Sequence, residues 1–182
     1  SSGYNINVNN TWNTDRNRWS LLEVKKAETK MKEIRTAKLD DLERLAYLLD
    51  LLFSRDIEFE PDYEKQKKGL KEIIENPEIG EILVLTIDKK IIAMVSLLYS
   101  ISTALGGKVA VLEDMIVDKD FRSNNYGTEL LNEAIKYARN KNILRITLLT
   151  DYDNDKAISF YEKSGFGKSK MIPMRLLLNR NV

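Results

Sequence analysis

The chain of 182 residues has no cysteine and no histidine. That double absence excludes disulfides, thiol nucleophiles, the usual zinc sites and every histidine-based triad. Any general base must be Asp, Glu, Lys, Tyr or a water chain. Charge of one sign is lacking too: the formal net charge is +1, which gives no electrostatic reason to expect nucleic acid as a partner. No apolar run approaches the ~20 residues needed to span a bilayer. The opening stretch, SSGYNINVNNTWNTDR, lacks the apolar core of a signal peptide. These absences lead us to expect a cytosolic (cytoplasmic) protein with no membrane partner. The length suffices for one domain with a sizeable core and a short appendage.

What is present divides unevenly. Six asparagines fall within the first 17 positions and no hydrophobic period emerges there. Residues 1–30 therefore read as a flexible leader or a cloning remnant, and 31–182 as the single functional domain. Met31 would serve as a natural start, since an ordered pattern begins at once. Trp12 and Trp19 keep open the alternative of an ordered arm docked on a neighbouring surface.

From Lys32 the expected order is strand, helix, helix, three strands, helix, strand, helix, strand. Ile34 marks a short first strand. Leu39, Leu42, Leu45, Ala46, Leu49 and Leu52 recur at helical spacing. A second helix spans roughly Tyr63 to Glu75 and stops at Asn76-Pro77. EILVLTID (81–88) and IIAMVSLLYS (91–100) form a hairpin through Asp88-Lys89-Lys90. Leu130, Leu131, Ala134, Ile135 and Ala138 form the stripe of a further helix. Ile143 to Thr150 is rich in β-branched residues, as strands are. Ala157, Ile158, Phe160 and Tyr161 suggest a short helix ending at Gly165. Phe166 to Leu178 would supply a last bent strand or strand pair, with Pro173 favouring an edge or bulge. The pattern is a mixed α/β layer around one core.

Residues 109–135, VAVLEDMIVDKDFRSNNYGTELLNEAI, carry the chemistry. A strand meets two adjacent acids, Glu113 and Asp114, and resumes as Met115-Ile116-Val117. A polar turn follows, and Tyr126-Gly127 opens an amphipathic helix. A helix N-terminus offers unpaired N–H groups and a positive dipole end, which suit a phosphate. Charge interrupting an apolar strand is costly and needs a reason. An anion cradle beside an interior carboxylate suggests a phosphorylated cofactor next to a general base. Strand alternation sends Glu113 and Asp114 to opposite faces unless a bulge intervenes.

Three pieces of this chain resemble the GNAT acyltransferase superfamily, over about residues 32–178. Arg122-Ser123-Asn124-Asn125-Tyr126-Gly127 is similar to its pyrophosphate loop: Arg or Gln, two residues, Gly, one residue, Gly or Ala. LEDMIVD is the strand before that loop. Asn154-x-x-Ala157-x-x-Phe160-Tyr161, followed by Ser164-Gly165-Phe166, is similar to the family's late helix and strand start. Asn125 stands where the family usually has its first glycine. Asn tolerates positive φ best among the other residues, so the loop shape survives, and its side chain is placed to cap the helix. Weaker or differently tuned CoA binding follows from that departure.

The resemblance implies a GNAT-like α/β fold with a mixed, mostly antiparallel twisted sheet flanked by helices. It implies acetyl-CoA as co-substrate, with the pyrophosphate on the loop from Arg122 and Ser123 through Asn124, Asn125, Tyr126, Gly127 and Thr128. The pantetheine arm would run along main-chain groups of Met115, Ile116 and Val117, and Asn154 would touch the cofactor or cap its own helix. Glu113 matches the family's base position and Tyr161 its acid position. The expected reaction is acetyl transfer to a primary amine by direct attack in a ternary complex, the absent cysteine disfavouring an acyl-enzyme. The alternative is a catalytically silent CoA-binding sensor or interaction module. A small-molecule or peptide amine is the expected acceptor, walled by Phe53 to Tyr63 and Tyr99 to Gly107. Asp56, Glu58, Glu60 and Asp62 would attract a cation there. A homodimer is possible in this superfamily. No metal is expected: Asp151-x-Asp153-x-Asp155 mimics a calcium loop, but Lys156 occupies its glycine position and a strand precedes it.

Overall fold

A computed structural model describes residues 31–54 and 62–178 of the chain. All elements belong to one unit, Lys32–Val182. The expected leader, 1–30, lies outside the described residues.

The elements are β1 (Lys32–Thr36), α1 (Leu42–Phe53), α2 (Tyr63–Glu75), β2 (Gly80–Ile87), β3 (Lys90–Ser102), β4 (Gly107–Val117), α3 (Tyr126–Asn140), β5 (Ile146–Leu148) and α4 (Asp155–Glu162). Short 3-10 turns precede α1 and α3. The five strands lie in the order β1-β2-β3-β4-β5. Every neighbouring pair is antiparallel except β4 with β5, which is parallel. This is the mixed, mostly antiparallel sheet expected from the sequence.

β2 and β3 are nearly continuous apolar runs because both their faces are covered. On one face Leu45, Leu48 and Leu49 of α1 and Leu70 of α2 pack on Ile82, Val84, Met94 and Ile116. On the other, Leu130, Leu131, Ala134 and Ala138 of α3 pack on Leu83, Leu85, Val95, Leu97 and Leu112. Each buried leucine contributes about 2 kcal/mol of apolar transfer. α2 ends at Glu75 with Asn76 as its C-cap, as the Asn76-Pro77 pair predicts.

Two buried charge clusters pin the layers. Arg44 of α1 pairs with Asp118, just past β4, and donates Nε–H to the Ile91 carbonyl at 2.8 Å. Burial opposes the charge of Asp118, yet the Arg44 guanidinium and the Asp120 N–H hold its carboxyl below the ordinary value. On the opposite face Glu81 of β2 accepts from the hydroxyls of Tyr99 (2.7 Å) and Tyr137. Burial and that carboxylate raise both phenols, so they stay neutral donors. No sequence period announced this cluster.

Two expectations need correction. β5 covers only Ile146–Leu148, not 143–150. Among the described residues it has β4 on one side and no strand on the other, so one neighbour alone supports its three paired positions. Phe166 to Leu178 forms no strand. Pro173 has no N–H to give a ladder, and the Met171 N–H is taken by Ser169 Oγ at 3.1 Å.

The β2–β3 hairpin turns through Asp88 and Lys89, both left-handed (φ 49° and 68°). That is the geometry of a two-residue type I′ turn, which favours glycine at its second position. Lys89→Gly should therefore raise stability by about 1 kcal/mol. Urea unfolding checks this: the midpoint should rise, and a fall would show that the lysine side chain outweighs its backbone strain.

Candidate functional site

The site is built where β4 loses a neighbour. β5 pairs with Ala110, Val111 and Leu112 and with nothing beyond. Among the described residues, no strand faces that edge of β4 from Glu113 to Val117. The β3 side stays paired, but its register slips: Met94 faces Ile116 while Ser96 faces Glu113. β4 thus spends one residue more than β3 over this span, which is a bulge. Asp114 sits in it with φ 49°, a left-handed conformation that Asp tolerates better than most residues.

The bulge changes where the acids point. Ser96 lies opposite Glu113, and its hydroxyl donates to the Glu113 carbonyl (3.0 Å) and to Asp114 Oδ2 (3.2 Å). Leu112, the preceding residue, packs on the α3 face. Glu113 and Asp114 therefore share the α1–α2 face instead of alternating. Glu113 is exposed and Asp114 is partly covered, so the helical layer stops short of the first acid and shelters the second. Burial, with the Glu113 charge next, pushes the Asp114 carboxyl up to about 6, against the pull of Ser96.

The loop after β4 is held from within. Asp118 caps the short turn through the Asp120 N–H (3.2 Å). Arg122 Nε donates to the Val117 carbonyl at 3.0 Å, and Asn124 donates to the carbonyls of Phe121 and Arg122. Ser123 (φ 65°) and Asn125 (φ 64°) are both left-handed. Asn125 thus takes the backbone state expected of the glycine it replaces.

One expectation about Asn125 is corrected. It is the N-cap residue of α3, but its side chain makes no capping bond. A capping side chain needs an extended N-cap backbone, and the left-handed state aims it elsewhere. Two other helix starts differ: Asp62 accepts from Lys65 N–H at the start of α2, and Asn154 Oδ1 from Ala157 N–H (3.0 Å) at the start of α4, while α1, which continues a 3-10 turn, also has no side-chain cap. The first-turn N–H groups of α3, around Tyr126, Gly127 and Thr128, have no protein acceptor among the described residues. Uncapped donors at a positive dipole end fit an anion. Asn154 is a cap in this structure.

α4 stands beside this helix start. A Cβ on Gly127 would lie 3.5 Å from Val117 and 3.7 Å from the Phe160 ring. A cleft of about 550 Å³ runs between α3 and α4, lined by Asn125, Thr128, Asn132, Lys156, Phe160 and Lys163 among others. Asn132 and the two lysines were missed in the sequence; Thr128 and Asn132, one helical turn apart, were the readable signal. Tyr161 packs edge-on against Phe160 and Phe166, at 5.1 and 5.7 Å. Burial raises its phenol, so it is protonated at neutral pH. Its hydroxyl has no hydrogen-bond partner among the described residues.

The expected acceptor walls are less complete. Residues 55–61, with Asp56, Glu58 and Glu60, lie outside the described residues. Asp62 is engaged as a helix cap. Tyr99 is committed to Glu81. No helix among the described residues is long and apolar enough to cross a membrane. No group of three or more acidic side chains there is placed to hold a metal ion.

Comparison with known proteins agrees with this geometry. Residues 42–166 match the sequence model described as the acetyltransferase (GNAT) family. An uncharacterised N-acetyltransferase of Methanocaldococcus jannaschii is 31% identical over 76% of this chain, which spans 62% of that relative's length. The crystal structure of a possible acetyltransferase from Clostridium difficile superposes with a TM-score of 0.76 at 23% identity, over 82% of this chain and 99% of that one. A predicted acetyltransferase from Clostridium acetobutylicum, solved with acetyl-CoA, superposes with a TM-score of 0.66 at 18% identity, over 82% and 99%.

The state of Asp114 predicts a pH effect on stability. Its folded value, about 6, lies above the ordinary 3.8. The folded protein therefore binds the extra proton, and this group's contribution is fully present below pH ~4 and lost as pH rises through ~6. The loss is at most about 3 kcal/mol. Asp114→Asn keeps size and left-handed tolerance and removes the titration. Denaturant unfolding at pH 4.5 and 7.5 should show the variant gaining on the wild type at the higher pH. Parallel pH dependences would contradict the burial of this charge.

Proposed function

The chain belongs to the GNAT acetyltransferase family, whose acyl donor is acetyl-CoA, and from that premise we propose that it acetylates a primary amine by direct attack in a ternary complex. One observation carries the proposal: an uncapped helix start, α3, lies directly after a strand edge, Glu113–Val117, that no other strand pairs. The first offers N–H groups to a pyrophosphate. The second leaves main-chain groups along Met115 to Val117, apart from the Val117 carbonyl that already accepts from Arg122, for the amides of a pantetheine arm, much as an added strand would use them.

The residues at hand then divide the work. The loop from Arg122 to Thr128 holds the phosphates through backbone, with Arg122 bracing it from Val117. Asn154 sets the start of α4 and so places Tyr161. The acidic pair at the bulge, Glu113 with Asp114, takes a proton from the incoming ammonium, since only the free amine has a lone pair to attack. The nitrogen forms its bond to the thioester carbon as the C–S bond breaks. Tyr161, neutral and without a competing partner, gives its proton to the departing thiolate. Holding both reactants together supplies much of the acceleration without a covalent enzyme intermediate.

Release of CoA thiol from acetyl-CoA across a panel of polyamines, aminoglycosides, lysine and peptide N-termini tests this reading. At least one amine should accelerate release, and Tyr161→Phe should slow that turnover by ~10²-fold. Release that no amine accelerates would reject the transferase, and full turnover in Tyr161→Phe would reject the acid.

Asn125 sets a second outcome. Asparagine tolerates φ near 64° at some cost that glycine does not bear. Asn125→Gly should bind CoA more tightly in a calorimetric titration. Weaker binding would mean that the asparagine side chain itself contributes to the cradle.

A further inference from the structure

Two carboxylates stand side by side on β4, and they are in different states. Glu113 is exposed, on the rim. Asp114 is sheltered, turned onto the same face by the bulge, and held by the Ser96 hydroxyl at 3.2 Å. A sheltered carboxylate beside a like charge gains proton affinity, because both its surroundings and its neighbour disfavour ionisation. The backbone is also informative. A left-handed residue in mid-strand is strained, and strain of this kind persists where surrounding structure enforces it. Here it brings the second acid round to the face of the first.

We propose that Asp114 is the proton acceptor of the reaction, and that Glu113 is the exposed charge that draws the ammonium in and keeps Asp114 basic. The inference rests on the amine-acetylating reading above and divides the acidic pair that it uses. One N–H proton of the ammonium passes to the Asp114 carboxylate, directly or through one water. The freed lone pair attacks the thioester carbon, the sulfur leaves with the C–S electrons and takes the Tyr161 proton, and the acylated nitrogen gives its second surplus proton back to the Tyr161 phenolate. Asp114 then returns its proton to solvent past Glu113.

The groups that act on Asp114 among the described residues are few. Glu113 acts from its own strand and Ser96 from β3. Arg44, the cation on α1, is spent on Asp118 beyond the far end of the bulge. The raised carboxyl, at about 6, agrees with a base poised near neutral pH.

The test is the pH dependence of kcat with an accepted amine, in the wild type and three variants. Asp114→Asn should bind CoA as the wild type does, read as an equal thermal shift. It should lose ~10²–10⁴ in kcat and its acidic limb. Glu113→Gln should keep the limb but move it to lower pH, because the like charge is gone, and should raise KM for the amine. Ser96→Ala should move the limb to higher pH, because a bond favouring the carboxylate is lost. A limb that survives in Asp114→Asn and vanishes in Glu113→Gln would overturn this assignment while leaving the acetyltransferase intact. A wild type that binds acetyl-CoA and acetylates no amine would overturn both.

Discussion

β4 has two neighbours up to Leu112 and one thereafter, and the site depends on that change. A strand paired on both sides has no main-chain groups to offer. Once β5 ends, one edge of β4 is open. Its free edge presents donors and acceptors that a ligand with amide groups can use. Its paired edge absorbs one extra residue, and Asp114 turns onto the face of Glu113. On the proposed reading, cofactor placement and base placement meet where this short parallel strand ends.

The rest of the fold keeps that edge in place. β2 and β3, buried on both faces, make a sheet too well packed to shift. Arg44 ties α1 to the end of β4 through Asp118, and breaking such a buried pair costs several kcal/mol. Glu81 ties the opposite face through Tyr99 and Tyr137. α3 starts immediately beyond, anchored by Leu130 and Leu131 in the core. Its first turn therefore stands on a packed helix, and its first N–H groups have no protein acceptor among the described residues. Donors that need no reorganisation are the kind that stabilise charge well.

Much of this was legible in the residues. Leucine and alanine at helical spacing marked α1 and α3, and Asn76-Pro77 ended α2. The left-handed Asn125 was readable because Asn is the residue that replaces glycine at such a position. What was not legible depended on partners. The β-branched run at 143–150 looks the same whether or not a strand lies outside it, so the shortness of β5 and the lack of a strand at 166–178 were hidden. The bulge was hidden too, since Glu-Asp in a strand does not say which residue slips. The missing cap on α3 follows from geometry, not residue type: the left-handed φ that keeps the loop is what turns the Asn125 side chain away.

On the proposed reading, the start of α3 and the free edge of β4 together take acetyl-CoA. Thermal unfolding with acetyl-CoA at ~100 times its dissociation constant, and with CoA or ATP at that same concentration, tests it most directly, since binding there adds ~2.7 kcal/mol of stability. The account predicts stabilisation by both CoA species, and none by ATP at equal concentration, because ATP has phosphates for the helix but no arm for the strand. Equal stabilisation by all three, or by none, would contradict it.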